Sequence, residues 1–359
     1  MAAKLTASPL DAADLRTRVN AALQHFLAAQ VQVLEAVSSD VEPMSNVLTR
    51  LLAGGKRLRP AFCYWGWRGT GGEDSTAAVT AAAALEFLQA CALIHDDVMD
   101  GSDTRRGHPA AHRSFAALHR EHEWLGSPDA FGVGAAILLG DLCLSWADQL
   151  LLGSGLPDAA LKRGKPVYDE MRVELMAGQY LDLLEQARGG GSVERALRVV
   201  RFKSAKYTIE RPLQLGAAMA GATPSQLKSL RDYGLPLGEA FQLRDDLLGL
   251  FGDPELTGKP AGDDLREGKR TVLVAKAAAA ATPAQAEVLR TRLGDPALDA
   301  DGVAELREVI VATGAPADVE ALIDDLASAS LAALAGADLT DEATDVLAEL
   351  VVAATARKV

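Results

Sequence analysis

Nowhere in these 359 residues do apolar and polar side chains alternate over a sustained stretch, so strands are not expected. Apolar positions recur instead three and four apart, the period of a helix with one buried face. Leu15, Val19, Leu23, Phe26, Leu27, Val31 and Leu34 trace such a face between Asp11 and about Val37. Further helices are predicted over about 45–53, 61–67, 75–94, 110–121, 128–152, 158–187 and 193–221, then between Pro224 and Pro236 and onward through 241–253. Beyond Thr271 the pattern is helical again, with breaks near Thr282-Pro283, Gly294 to Gly302 and Gly314 to Pro316. A hydrophobic content of 49% with only 5% aromatic residues means a core of Ala, Leu and Val, which suits closely packed helices. The expected class is all-α. Composition never shifts enough to mark a linker, so residues 1–359 are expected to form a single domain, with the first ten flexible.

A net charge of −13 argues against a nucleic-acid partner, because phosphate backbones are bound by basic surface. Cys63, Cys91 and Cys143 are too few and too widely spaced for a disulfide framework or a zinc signature, and read as buried thiols in a reducing cytoplasm. The N-terminus lacks the apolar stretch of a signal peptide. No run reaches the roughly 18 apolar residues of a membrane span; the richest, Gly132 to Gly140, stops at Asp141, so no transmembrane segment is expected.

The chemistry is concentrated in H-D-D-V-M-D-G-S-D-T-R-R-G, His95 to Gly107. Asp96 and Asp100 stand four apart, so on a helix their carboxylates share one face, with Asp97 about a quarter turn away. Acids this close repel unless a cation lies between them, and Mg2+ takes one or two carboxylates while leaving other positions to water and phosphate. Arg105 and Arg106 follow, and guanidinium forks suit phosphate. Taken alone, the pattern also reads as a solvated acidic helix end. A second Asp pair, Asp245 and Asp246, stands in F-Q-L-R-D-D-L-L-G-L-F-G-D at 241–253. Acidic clusters facing each other across a bundle build metal sites.

With this second motif the chain resembles the trans-isoprenyl diphosphate synthases, or polyprenyl synthetases, over nearly its whole length. The resemblance rests on ordered motifs: G-G-K-R-L-R-P at 54–60, the first Asp-rich motif with T-R-R-G, K-S-A-K-Y at 203–207, the second Asp-rich motif, and G-K-P-A-G-D-D-L-R-E-G-K at 258–269. It implies a single-domain isoprenoid-synthase helical bundle around a central cavity, packed as a homodimer. It also implies head-to-tail condensation of isopentenyl diphosphate with allylic diphosphates, dependent on Mg2+, three ions per site, with Mn2+ able to substitute.

Residue by residue, the resemblance assigns Lys56, Arg59 and Arg106, with Gln89, to isopentenyl diphosphate. Arg105, Lys203 and Lys259 fall to the allylic diphosphate, and Asp96, Asp100 and Asp245 become the principal metal ligands, supported by Asp97 and Asp246. Ser204, where the family usually has Thr, and Gln242 are expected at the same site. The segment Gly252 to Gly268 reads as a lid-like loop that lays Lys259 and Lys269 over the phosphates. The family's second motif commonly ends in a third Asp; here position 249 is Gly, which leaves that side to Asp245 and Asp246 with Asp253 or Asp264.

Product length is expected from the helix below the acids, where one turn of about 5.4 Å matches roughly one isoprene unit. Cys91 and Ala92 are small and leave the first turn open; Leu88, with Leu85 below, forms the expected floor. The main product predicted is geranylgeranyl diphosphate (C20), the alternatives being a farnesyl or a C25-and-longer synthase. A terpene cyclase would need an N-D-x-x-S-x-x-x-E element that is not found, and a non-catalytic partner subunit would tend to lose its acidic residues.

Overall fold

The structure, a computed structural model, describes residues 9–189, 191–252, 262–295 and 297–355. It is all-α apart from one small hairpin. A short 3-10 turn, Pro9–Asp14, leads into α1 (Leu15–Val37), α2 (Glu42–Ala53), α3 (Leu58–Gly69) and α4 (Thr76–Asp100). The hairpin strands β1 (Thr104–Arg105) and β2 (His108–Pro109) precede α5 (Ala111–Glu121), α6 (Pro128–Leu152), α7 (Asp158–Arg188) and α8 (Val193–Val199). A π-helical segment, Val200–Glu210, continues into α9 (Arg211–Ala220), followed by α10 (Pro224–Phe251), α11 (Asp263–Arg266), α12 (Val272–Ala280) and α13 (Pro283–Arg292). The chain ends with α14 (Ala300–Ala312), α15 (Ala315–Ala335) and α16 (Asp341–Thr355).

The main core gathers α1, α3, α4, α6, α7, α9 and the first half of α10. A second apolar cluster joins Leu243, Leu247 and Leu250 of α10 to α12, α14 and α15. In the α4 run Ala81 to Ala84, every residue is fully buried, so the Ala-rich composition serves close helix packing. Ser75 caps α4 by accepting a bond from the Ala78 N–H, and Gly101, at φ 69°, ends it. That glycine stop puts Asp96, Asp97 and Asp100 in the last turn, at the negative end of the helix dipole. Carboxylates placed there need cations from elsewhere in the fold.

Several expectations are corrected. Pro236 lies inside α10 rather than framing it; Pro224 occupies its first turn, behind a capping box made by Thr223 and Gln226. The hairpin departs from the expectation of no strands, being too short to show a two-residue period. Both α4 and α6 are long and apolar enough to cross a membrane by length and composition, contrary to the reading of uninterrupted runs. For α4, 72% of the apolar window is buried, as in the core helix of a soluble protein. The first eight residues lie outside the described part, so their expected flexibility stays an expectation.

Candidate active site

Lys203 anchors the site. It sits in the π-helical segment, which lies between α7 and α10 so closely that a side chain at Gly178 would come within 2.4 Å of the Lys203 backbone nitrogen. On the other side a side chain at Gly238 would come within 2.6 Å of Ala205. Pinned this way, the Lys203 ammonium bonds Asp96 at 3.0 Å and Asp182 of α7 at 2.6 Å. Burial works against the charge on both Asp96 and Lys203. For Asp96, Lys203, Lys269 and Arg105 more than offset burial and hold the carboxyl down to about 2. For Lys203, Asp96 and Asp182 keep the ammonium charged. Ser204 follows Lys203 and is half-buried.

Asp100 faces a different cation. Its side chain is fully buried, and neither oxygen has a hydrogen-bond donor among the described residues, although the Lys269 ammonium stands 3.1 Å away. Burial pushes its carboxyl above the ordinary value, against the pull of Lys269. Lys269 also stands 3.5 Å from Asp264 and 2.7 Å from Glu267. Burial opposes its charge as well, but Asp264, Asp100 and Glu267 raise it well above an ordinary lysine.

Lys269 thereby links the end of α4 to the second acidic cluster. Asp245 is half-buried, and one turn on, at Gly249, a side chain would come within 2.6 Å of an Asp264 carboxylate oxygen. Asp264 therefore fills the space beside α10 that a residue larger than Gly at 249 would take. Asp246 is 8% exposed and accepts a bond from Gln242 at 2.8 Å. Burial pushes its carboxyl up to about 8.

Asp97, expected in support of the principal acids, stands beside Arg105. Only 2% exposed, it accepts two bonds from the Arg105 guanidinium, one of them 2.9 Å from Nε. Through these bonds it fixes the Arg105 guanidinium. The hairpin divides the two arginines, because Arg106 (φ 55°) and Gly107 (φ 75°) form a two-residue turn with both residues left-handed. Arg105 turns toward Asp97 and stands 3.8 Å from Asp96. Arg106 turns the other way, donating to the Leu51 and Gly54 carbonyls at the end of α2.

The 54–60 turn is thus brought beside the arginine pair. Lys56 is exposed, and Arg59 donates to Thr208 at 2.8 Å with its guanidinium 4.2 Å from the centre of the Tyr207 ring. Between them Arg57 is buried, bonded to Glu86 of α4, to the Leu52 carbonyl and to Asn20. Gln89 holds a buried carbonyl oxygen, and Arg59 a buried Nε, with no partner among the described residues. Lower on α4, Ala92 is half-buried while Cys91, Leu88 and Leu85 are buried. Trp146 packs edge-on against Phe87 and Phe26. Lys259 and Asp253 lie outside the described residues, as does 253–261 of the expected lid; its remainder contains the short helix α11.

Asp182, Glu267, Thr208 and the Arg57–Glu86 pair were not assigned roles from the sequence, whereas Asp264 was offered beside Asp245 and Asp246. Asp264 alone had a signal, the glycine at 249. The donors fit a hard cation in part. Among the described residues no three acidic, Cys or His side chains converge into a cage, because Lys203 and Lys269 lie among them. The buried Asp100 carboxylate, next to Asp96 and accepting no hydrogen bond among the described residues, nevertheless offers what Mg2+ takes when phosphate and water complete its shell.

Comparison with known proteins agrees with this geometry. The family model described as polyprenyl synthetase matches residues 41–310. The octaprenyl diphosphate synthase of Escherichia coli strain K12 is 35% identical over 271 residues, covering 75% of this chain and 77% of that protein. A geranylgeranyl diphosphate synthase of Mycobacterium tuberculosis is 33% identical over 281 residues, 78% of this chain and 75% of that one. Among solved structures, geranylgeranyl pyrophosphate synthase from Corynebacterium glutamicum, complexed with isoprenyl diphosphate and magnesium, superposes with a TM-score of 0.93 at 44% identity, over 96% of this chain and 99% of that one. The chain belongs to the polyprenyl synthetase family of prenyltransferases.

Proposed function

We propose that this chain condenses isopentenyl diphosphate with an allylic diphosphate, head to tail and dependent on Mg2+, with geranylgeranyl diphosphate as main product. The observation that carries the reading is the pairing of buried carboxylates with lysines at the end of α4: Asp96 with Lys203, and Asp100 with Lys269. Carboxylates that a metal can use stand beside cations that a diphosphate can use, in one place. Asp96, Asp100 and Asp245 would hold the Mg2+, three ions per site with Mn2+ as substitute, and the metal would supply positive charge to the departing diphosphate.

The chain's own cations act on the same oxygens. Lys203, Lys269 and the Asp97-held Arg105 stabilise the negative charge that develops as the allylic carbon–oxygen bond breaks, with Lys259 expected to join them. Lys56, Arg59 and Arg106 hold the second diphosphate, with the side-chain NH2 of Gln89 donating to the same substrate. No protein nucleophile is required. The apolar residues of α4 keep water from the allylic cation until the isopentenyl double bond attacks it, after which the new tertiary cation loses a proton to the released diphosphate and a double bond is restored.

Small residues at Cys91 and Ala92 with Leu88 and Leu85 below support the C20 length. The C. glutamicum relative carries the name of a C20 synthase and the E. coli relative that of a longer one. The proposal includes a single domain and a homodimer, for which α6 offers the exposed apolar residues Phe131, Ile137, Leu138 and Leu152. It also includes a cytoplasmic setting, consistent with three free buried thiols. Incubating the purified chain with Mg2+, isopentenyl diphosphate and dimethylallyl diphosphate, followed by chromatography of the products, tests the reading. A dominant C20 diphosphate supports it, a different length corrects the ruler, and no condensation refutes it.

A further inference from the structure

Lys269 owes its position to two residues for which the proposed reaction has no direct use. Its ammonium lies 2.7 Å from one oxygen of Glu267, and the other oxygen of that carboxylate accepts a bond from the Ser102 hydroxyl at 2.8 Å. Ser102 is 8% exposed and belongs to the turn that ends α4; its own N–H bonds the Asp97 carbonyl at 3.0 Å. Serine, glutamate and lysine therefore form a relay between the helix carrying the first acidic motif and the segment carrying Asp264 and Lys269. The Lys269 backbone N–H bonds the Asp264 carbonyl at 2.9 Å, which fixes the root of its side chain as well.

We propose that Glu267, anchored by Ser102, is a positioning residue that aims Lys269 at the diphosphate of the allylic substrate. A lysine stem has four rotatable bonds and a point charge, so nothing intrinsic to it sets a direction. The surrounding acids cannot set one alone during turnover. On the prenyl-transfer reading, on which this inference rests, Asp100 is taken by the metal when substrate arrives, and Asp264 stands farther off at 3.5 Å. Glu267 is the partner that stays. It is itself held from the far side by a hydroxyl, so the ammonium cannot follow a swinging carboxylate. A glutamate whose sole purpose was to neutralise a buried lysine would be redundant beside Asp100 and Asp264.

The test uses the full chain and four proteins: wild type, Ser102→Ala, Glu267→Gln and the double variant. Binding of inorganic diphosphate in the presence of Mg2+ is measured by calorimetry, and KM is measured separately for the allylic and isopentenyl substrates. Diphosphate affinity is expected to fall about tenfold in Glu267→Gln and about threefold in Ser102→Ala, the scale of losing or loosening one charge-assisted contact. The allylic KM rises in step while the isopentenyl KM stays put. The double variant binds no more weakly than Glu267→Gln, because the serine acts only through the glutamate, and Ser102→Thr restores affinity. Unchanged affinity in Ser102→Ala and Glu267→Gln, equal shifts in both KM values, or additive losses in the double variant would overturn the proposal while leaving the prenyl-transfer reading intact. Failure of wild type to bind diphosphate with Mg2+ would overturn both.

Discussion

Replacing Arg57 with Met separates scaffold from substrate binding inside the 54–60 turn. Arg57 is 5% exposed, and its guanidinium is bonded to Glu86, 4% exposed, to the Leu52 carbonyl and, at 2.8 Å, to Asn20. Methionine fills most of the same space but leaves the buried Glu86 carboxylate without its bonded guanidinium. Breaking one partner of such a pair costs about 3–5 kcal/mol. The left-handed backbone at Arg57, φ 57°, is equally strained with either residue, so it cancels from the comparison. Urea unfolding is expected to show a lower midpoint with an unchanged slope. In the double variant Arg57→Met, Glu86→Leu, most of the loss returns, since apolar side chains can replace a buried ion pair at little net cost. Turnover is expected to return with it, because on the proposed reading Lys56 and Arg59, not Arg57, hold the substrate. The reasoning fails if Arg57→Met unfolds like wild type yet raises the isopentenyl KM, since Arg57 would then be a ligand.

Three further outcomes are expected. Ala92→Phe closes the first turn below the acids and shifts the product to C15, while Leu88→Ala lowers the floor and lengthens it beyond C20; chromatography of the products reads both. Gly249→Ala displaces the Asp264 carboxylate, so the Mg2+ concentration needed for half-maximal turnover rises while stability stays level or gains up to about 1 kcal/mol from helix propensity. Burial alone would raise the Glu174 carboxyl, but bonds from Arg211 and Lys206 outweigh it and hold the group below its ordinary 4.5. Its contribution is therefore present above that pH and lost as pH falls through the depressed value, so the stability gap between wild type and Glu174→Gln narrows in acid urea melts.

The acids Asp96 and Asp100 were legible in the sequence because their spacing matches a helix turn and their neighbours set that helix. Lys203 was legible through its motif, and Pro224 through the start of α10. What could not be read is whatever depends on two distant segments meeting. Arg57 sits between the two cations assigned to isopentenyl diphosphate and received no role; its contact with Glu86, 29 residues on, gives it one in the scaffold. Asp97 belongs to the acidic motif, yet its carboxylate is taken by a hairpin arginine. Glu267 and Ser102 are 165 residues apart and carry no periodic signal. The π-helical segment was equally hidden; it packs against glycines on α7 and α10 that are distant in sequence. The hairpin was missed because a two-residue strand is too short for its period to register, and Pro236 because a proline can sit within a long helix whose neighbours hold it.

The central claim is that the two acidic clusters are the centre of one prenyl-transfer site. Steady-state turnover of Asp96→Ala and Asp245→Ala, measured with Mg2+, isopentenyl diphosphate and an allylic diphosphate alongside circular dichroism melts, tests it most directly. Each variant is expected to lose more than about a hundredfold in turnover with its helical signal intact. Condensation at wild-type rate by either folded variant would contradict the account.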